Sequence, residues 1–304
     1  MKILIIGGTG HVGSYLTQKL VANGHDVYVG TRGNTKQRAE EFFEGAKLVS
    51  CDAKSVESLQ SLKEYGFDTI VDFPGTAYNV WKVMEGEVSH IIACGSLWMF
   101  GYPHVVPTPE IAQERCFNKG YAVRFEEMQE MLKASGTKKA VFTGIMPPNI
   151  CGPGKIPIDQ YGGRDLKLHQ EMARGEKVYI PDGPECLISP CDAEDIATLF
   201  ALAVENREKA AGQLFNVGSN YSLTTSEFIQ AYADIYGVEI PVEKVSWERY
   251  ITEINPDKLS WWHFYAHMVP DIAKAKKLLG YEPKYTPVQT MRRAVEWMKT
   301  EKML

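Results

Sequence analysis

The sequence predicts an α/β fold: a doubly wound parallel sheet in the first half and a smaller, mainly helical C-terminal part. Three observations predict it. Short apolar runs alternate with amphipathic stretches through about the first 145 residues. A glycine-rich turn, Gly7-Gly8-Thr9-Gly10-His11-Val12-Gly13, joins the first apolar run to the first amphipathic one. After Pro147 the pattern changes to a proline- and glycine-rich segment followed by helical, aromatic-rich sequence. Strands separated by helices make a parallel sheet that is covered on both faces.

Lys2–Ile6 is a first strand, and Val12, Leu16 and Leu20 then recur at helical spacing until Gly24 stops them. Asp26–Gly30 is a second strand. Asn34 opens a polar helix with Gln37 three residues on as a capping-box partner. Leu48–Ser50, Thr69–Phe73, His90–Cys94 and Ala140–Gly144 read as further strands, with helices over Ser55–Tyr65 and about Tyr121–Ala134. Beyond the change of pattern, a helix is expected over about Leu166–Arg174 and another buried strand over Gln213–Val217. Residues 1–150 are expected to form one domain, joined by a segment returning near 190–220. Residues 151–189 and 221–304 would form a second domain, packed closely on the first because no low-complexity linker separates them.

Bulk properties narrow the function. With 304 residues, 44% hydrophobic and 23% charged, the chain resembles ordinary soluble globular proteins and needs no covalent staples. A net charge of -5 argues against a nucleic-acid binder that tracks phosphates. The six cysteines (Cys51, Cys94, Cys116, Cys151, Cys186 and Cys191) form no CxxC pair and read as reduced thiols in a cytoplasmic protein. No run approaches the roughly 20 apolar residues of a membrane span. The Lys2–Ile6 run breaks into glycine too early for a signal peptide.

Gly7, Gly10 and Gly13 give a GxxGxxG spacing between a strand and a helix. Such glycines permit positive φ, close approach of backbone to a pyrophosphate, and tight packing of helix on strand. The helix N-terminus adds free amides and a partial positive charge. The turn is therefore expected to bind a dinucleotide through Gly7, Thr9, Gly10, His11, Val12 and Gly13, which makes the first half a Rossmann domain. An NAD site usually places a carboxylate about 20 residues after the glycines. Here the second strand ends in Gly30-Thr31-Arg32, with Lys36 and Arg38 following. Arg32 can pair with a 2′-phosphate, so NADP is preferred over NAD; the alternative is a solvated basic turn.

With these residues the chain resembles the extended short-chain dehydrogenase/reductase family, also called the NAD-dependent epimerase/dehydratase family. The likeness runs through Gly7–Gly13, Cys51-Asp52-Ala53 and Ser96-Leu97-Trp98-Met99-Phe100-Gly101. It continues through Pro148-Asn149-Ile150-Cys151-Gly152-Pro153-Gly154, Asp192–Ala197, Phe215-Asn216-Val217-Gly218 and Leu278-Leu279-Gly280-Tyr281-Glu282-Pro283. The resemblance implies that Asp52 and Ala53 contact the adenine, Phe73 lines the cofactor, Ile150 lies near the nicotinamide and Asn149 contacts substrate. It implies Ser96 and Tyr121 as catalytic residues, the tyrosine exchanging a proton with the substrate oxygen while hydride moves to or from the nicotinamide.

Three departures bear on this. The family lysine four residues after the tyrosine is replaced by Phe125; Arg124 is adjacent, but rotated about 100° around the helix and so expected to point elsewhere. Tyr121 is then either a neutral proton donor, with Lys119 as another candidate cation, or a helix-capping or core tyrosine. Secondly, from Gly183 to Asp195 there is no arginine or lysine to hold a nucleotide-sugar diphosphate; Glu185 stands there, with Arg164 or Lys258 as substitutes from elsewhere. Thirdly, the short segment from Pro74 to Ser89 trims the helix that helps form the family dimer, so a monomer or an atypical dimer is expected.

His263 and His267, four apart, would share a helix face, but no carboxylate or cysteine completes a metal site; among Trp261, Trp262 and Phe264 they are expected to be packing or cleft residues. Asp192, Glu194 and Asp195 read as a charged helix start. The sequence thus points to an enzyme acting on a carbonyl or secondary alcohol of a small molecule, a sugar-like one being a candidate. Its rival is a catalytically weakened NADP-binding sensor or partner-docking protein.

Overall fold

The computed structural model describes residues 1–33, 43–257 and 260–304. The helix expected from Asn34 and Gln37, the basic residues Lys36 and Arg38, and Lys258 lie outside the described residues.

β1 (Lys2–Ile6) sits between β2 (Asp26–Thr31) and β4 (Thr69–Asp72); β3 (Lys47–Ser50) closes one edge. β5 (His90–Cys94), β6 (Val141–Met146) and a last strand, Gln213–Asn216, extend the other side. Reading from that last strand, the order is last–β6–β5–β4–β1–β2–β3, and every pairing is parallel. Ile6 pairs with Gly30 on one side and with Asp72 on the other, so three strand ends finish level. The chain order reverses there, and the crevice outside the strand ends at such a point is where α/β sheets bind ligands.

The alternation along β1 explains the two helical layers. Leu4 and Ile6 face a cluster built with α2 (Val56–Ser61), α3 (Ala77–Met84) and α4 (Lys119–Ala134), through Leu59, Trp81 and Met128. Ile3 and Ile5 face the opposite cluster, built with α1 (His11–Ala22) and α5 (Ala193–Glu205), through Leu16, Leu20, Ile196 and Phe200.

The C-terminal region carries a third cluster. Phe228 and Tyr232 of the Thr225–Tyr236 helix pack with Met291 and Val295 of the Pro287–Thr300 helix. Two small parallel pairs were not anticipated: β7 (Asn149–Cys151) with Pro190–Asp192, and Val178–Pro181 with Val242–Val245. Both are only three or four residues long, too short to show a period.

The acidic trio does structural work at α5. Asp192 caps the helix, accepting from Glu194 N, and accepts from Thr290 Oγ1 at 2.7 Å. Arg293 reaches Asp192 at 3.2 Å and Glu194 at 3.0 Å. Asp195 accepts from the backbone of Lys284 and Tyr285, at 2.9 and 3.0 Å. Burial, helped by the charges of Asp192 and Glu194, pushes its carboxyl up to about 6.

Gly13 shows why the turn needs its third glycine. A Cβ there would collide with the Gly7 carbonyl and stand 2.7 Å from Gly8 Cα, both rigid backbone. Gly13→Ala should cost about 1–3 kcal/mol in a urea melt and weaken dinucleotide binding. A variant as stable as the parent would show that the helix does not need this approach.

Candidate functional site

A cavity of about 510 Å³ opens at the level strand ends. Its walls include Ile6, Gly7, Thr9, Gly10 and His11 from the turn, and Gly30, Thr31 and Arg32 from the end of β2. Asp52, Ala53, Phe73, Pro74 and Thr76 form the side beyond β3 and β4. Gly10 is the N-cap of α1 and supplies no side-chain cap, so the first-turn amides face the cavity uncapped. Val12 and Gly13 lie behind this wall, buried against the sheet. Arg32 is exposed at the mouth. From the C-terminal side, Gly154 and Lys155 complete the rim. His11 Nε2 lies 3.2 Å from the Gly152 carbonyl, and Tyr15 donates to the Pro153 carbonyl at 3.2 Å, so α1 and this rim are tied together.

A second cavity, about 430 Å³, lies between the Tyr121 end of α4 and the C-terminal region. Tyr121 lines it with Trp98, Arg124, Arg164, Asp257 and His263. Tyr121 sits one turn into α4, where Asn118 caps the helix by accepting from the Tyr121 amide at 3.1 Å. Its ring meets Trp98 edge-on at 6.1 Å. Ser96 follows β5 and caps the 3-10 turn Leu97–Phe100, accepting from Trp98 N at 3.3 Å. Ile150 is half-buried on β7 and offers its carbonyl to Arg164 at 2.7 Å.

The structure corrects one expectation. Arg124 does not point away: its guanidinium lies against Gly75, where a Cβ would come within 2.7 Å of Nε, and donates to the Cys94 carbonyl at 3.1 Å. It is also 5.9 Å from the centre of the Tyr121 ring. A long, flexible side chain compensates for the unfavourable rotation at its Cα. Phe125 instead packs edge-on against Phe100 at 5.6 Å, part of the apolar layer under α4. Lys119 is exposed at the start of the same helix and does not line the cleft.

Between the cavities runs a loop fixed by a residue that sequence reasoning missed. Asp72, fully buried at the end of β4, accepts from Gly75 N at 3.0 Å, from Thr76 N at 2.8 Å and from the Thr76 hydroxyl. Burial raises its pKa; those donors and the Arg124 charge oppose the rise. An aspartate closing a strand just before Phe-Pro-Gly is the sequence signal that was available.

Asn149 is 3% exposed and engaged at both ends of its amide: its Oδ1 accepts from Ser189 N at 3.1 Å, and its Nδ2 is 2.8 Å from His263 Nδ1. Glu185 faces elsewhere, accepting from Ser226 N at 2.9 Å, and does not line the cleft. Arg164 does line it, held by the carbonyls of Ile156 and Ile150 and paired with no carboxylate among the described residues. The two histidines four apart are separated in role. His267 Nδ1 accepts from Leu187 N at 3.1 Å, and no metal-binding group of three ligands occurs among the described residues.

Burial first, and then the Arg164 charge, push His263 down to about 3. Its folded pKa lies below the unfolded value near 6.5, so its contribution to stability is complete above that pH and lost as pH falls toward 3. The His263 ring protons should therefore show no titration in NMR spectra between pH 8 and 5. A midpoint near 6.5 would mean that the ring is solvated.

Three comparisons place this architecture. The model of the NmrA-like family matches residues 1–303. A chloroplast stem-loop binding protein of 41 kDa from Arabidopsis thaliana is 26% identical over 95% of this chain and 76% of its own length. A UDP-glucose 4-epimerase from Corynebacterium glutamicum is 24% identical over 96% of this chain and 93% of its own. Among solved structures, a UDP-glucose 4-epimerase from Stenotrophomonas maltophila with bound NAD and formylated UDP-arabinopyranose superposes with a TM-score of 0.79, at 17% identity and 99% coverage of both chains. The Thermotoga maritima UDP-glucose 4-epimerase with UDP-glucose gives 0.77 at 20% identity, covering 99% of this chain and 100% of the other. At these identities the likeness is one of fold. No helix among the described residues is long and apolar enough to cross a membrane. The chain belongs to the NmrA-like family, with the Rossmann architecture of the extended, NAD-dependent epimerase/dehydratase type of short-chain dehydrogenase/reductase.

Proposed function

We propose that this protein is an NADP-preferring enzyme that moves hydride between the nicotinamide and a carbonyl or secondary alcohol held in the cleft beside Tyr121. One observation carries the reading: a cation, Arg124, reaches the Tyr121 side of the β4 and β5 ends although the family lysine is absent. The dinucleotide would lie with its adenosine half among Arg32, Asp52 and Ala53 and its pyrophosphate over Gly7–Gly10. Bound NADP supplies hydride acceptance or, reduced, hydride donation.

In reduction, Tyr121 gives its phenolic proton to the substrate oxygen, and Ser96 donates a hydrogen bond to the same oxygen. The Arg124 guanidinium stabilises the phenolate that remains, and solvent returns the proton. An ordinary tyrosine with a pKa near 10 is about one part in a thousand phenolate at pH 7, so a neighbouring cation matters more in the oxidising direction. Tyr121→Phe should lower turnover about 10²–10⁴-fold with little change in dinucleotide affinity. Arg124→Met should lower it too, whereas Phe125→Lys places an ammonium in the apolar layer against Phe100 and should destabilise the protein without raising activity. Rates, isothermal dinucleotide titrations and urea melts check the three variants.

NADP preference rests on Arg32 at the mouth and on the absence of a carboxylate in Gly30-Thr31-Arg32. Arg32→Ala should weaken NADPH binding about tenfold or more and leave NADH nearly unchanged, as expected for loss of a charge-assisted pair. Equal affinity for the two cofactors in the parent protein would contradict the assignment.

A second reading, an NADP sensor with little turnover, is favoured by Phe125 in the lysine position. It predicts cofactor binding without turnover of any carbonyl compound. Stem-loop binding, the property in the name of the Arabidopsis relative, is weighed against by the net charge of -5. We infer a carbonyl compound lacking a nucleotide diphosphate, because Glu185 stands in the sequence where the family cation is expected and Arg164 is engaged with two backbone carbonyls; Lys258, the other substitute, lies outside the described residues. The short α3 leads us to expect a monomer or an atypical dimer.

A further inference from the structure

We propose that His263 is a substrate-binding residue, a neutral Nε2–H donor that the fold aims at a ligand oxygen in the cleft opposite Tyr121. The inference rests on the reading of this cleft as the carbonyl-substrate site, and goes beyond it by assigning a donor from the C-terminal region.

A backbone amide sets the orientation of this ring. Ser189 N–H donates to one end of the Asn149 side chain at 3.1 Å, and only the amide oxygen can accept there. The orientation of Asn149 is thereby fixed, with Nδ2 toward His263 Nδ1 at 2.8 Å. An amide nitrogen donates and does not accept, so Nδ1 must carry the lone pair and the ring proton must sit on Nε2. The Ser189 amide thus sets the tautomer of an imidazole through one intervening side chain. Burial keeps the ring uncharged, so Nδ1 is not protonated as well.

Nε2 makes no hydrogen bond to any described residue and is not sealed away from solvent. The ring lines the same cleft as Tyr121 and Arg124. Its position is set on two sides. Trp98 lies 4.6 Å away, between it and Tyr121, and Gly162 backs it so closely that a Cβ there would come within 2.9 Å of His263 Cδ2. An oriented, neutral donor beside an apolar ring selects for an uncharged oxygen next to a flat or alicyclic carbon face. A ketone or hydroxyl-bearing ring fits that description.

The test uses the full-length protein with cyclohexanone as the probe, read by two-bond ¹H–¹⁵N spectra of the His263 ring. The proposal expects the Nε2–H tautomer in the free protein and a progressive shift of that proton on adding cyclohexanone. His263→Gln keeps an N–H donor and should bind the ketone within about threefold of the parent. His263→Phe keeps the ring against Trp98 but not the donor, and should bind about 3- to 10-fold more weakly, the loss of one neutral hydrogen bond. Asn149→Asp should invert the device, making Nδ1 the protonated nitrogen.

An Nδ1–H or doubly protonated ring in the parent, an Nε2–H signal unmoved by cyclohexanone, or equal affinity of the Phe variant would each overturn the proposal. NADPH titration of the same sample is separate: a ketone response without NADPH binding would refute the cofactor reading and leave the His263 assignment standing.

Discussion

A buried carboxylate at the end of β4 holds the functional half of the molecule in shape. Asp72 gathers the Gly75 and Thr76 amides and the Thr76 hydroxyl, and so turns the chain sharply as it leaves the sheet. The loop that results is the wall of one cavity, through Phe73, Pro74 and Thr76, and the support for Arg124 beside the other. Burial disfavours the charged form, while three donors and a nearby guanidinium favour it. Losing those partners would leave a charge in a site that cannot solvate it, at the point where three strand ends meet.

The sheet and the dinucleotide turn were legible because their signals are local and periodic. Largely apolar runs of three to five residues between helical stretches marked the seven strands of the central sheet, and Gly7, Gly10 and Gly13 marked the turn. Other features were not local. The pairing of Asn149 with His263 joins residues 114 positions apart, and neither carries a sequence signal of the other. Arg124 illustrates a different limit: helical rotation locates a Cα, but an arginine side chain is long enough to return its charge to a face that its Cα does not point at. The short strand pairs of the C-terminal region were hidden by their length.

The proposal of a substrate without a nucleotide diphosphate rests on the wall of the cleft. Among the described residues its cations are Arg124, bonded to the Cys94 carbonyl, and Arg164, bonded to two others. Most of its remaining wall is aromatic or polar and neutral, with Trp98, Tyr121, Asn118 and His263. The C-terminal region reaches this wall through the Gly162–Arg164 segment and through a short aromatic turn, Trp261–Phe264, whose packing against Trp98 and Phe117 joins it to the strand ends. The proposed small, ring-bearing substrate rests on this surface.

The most direct test of the account is mass spectrometry of small molecules released from purified, undialysed protein. The account predicts NADP in stoichiometric amount, accompanied by a small oxygen-bearing metabolite without a diphosphate. Release of a nucleotide sugar, or of NAD in place of NADP, would contradict it.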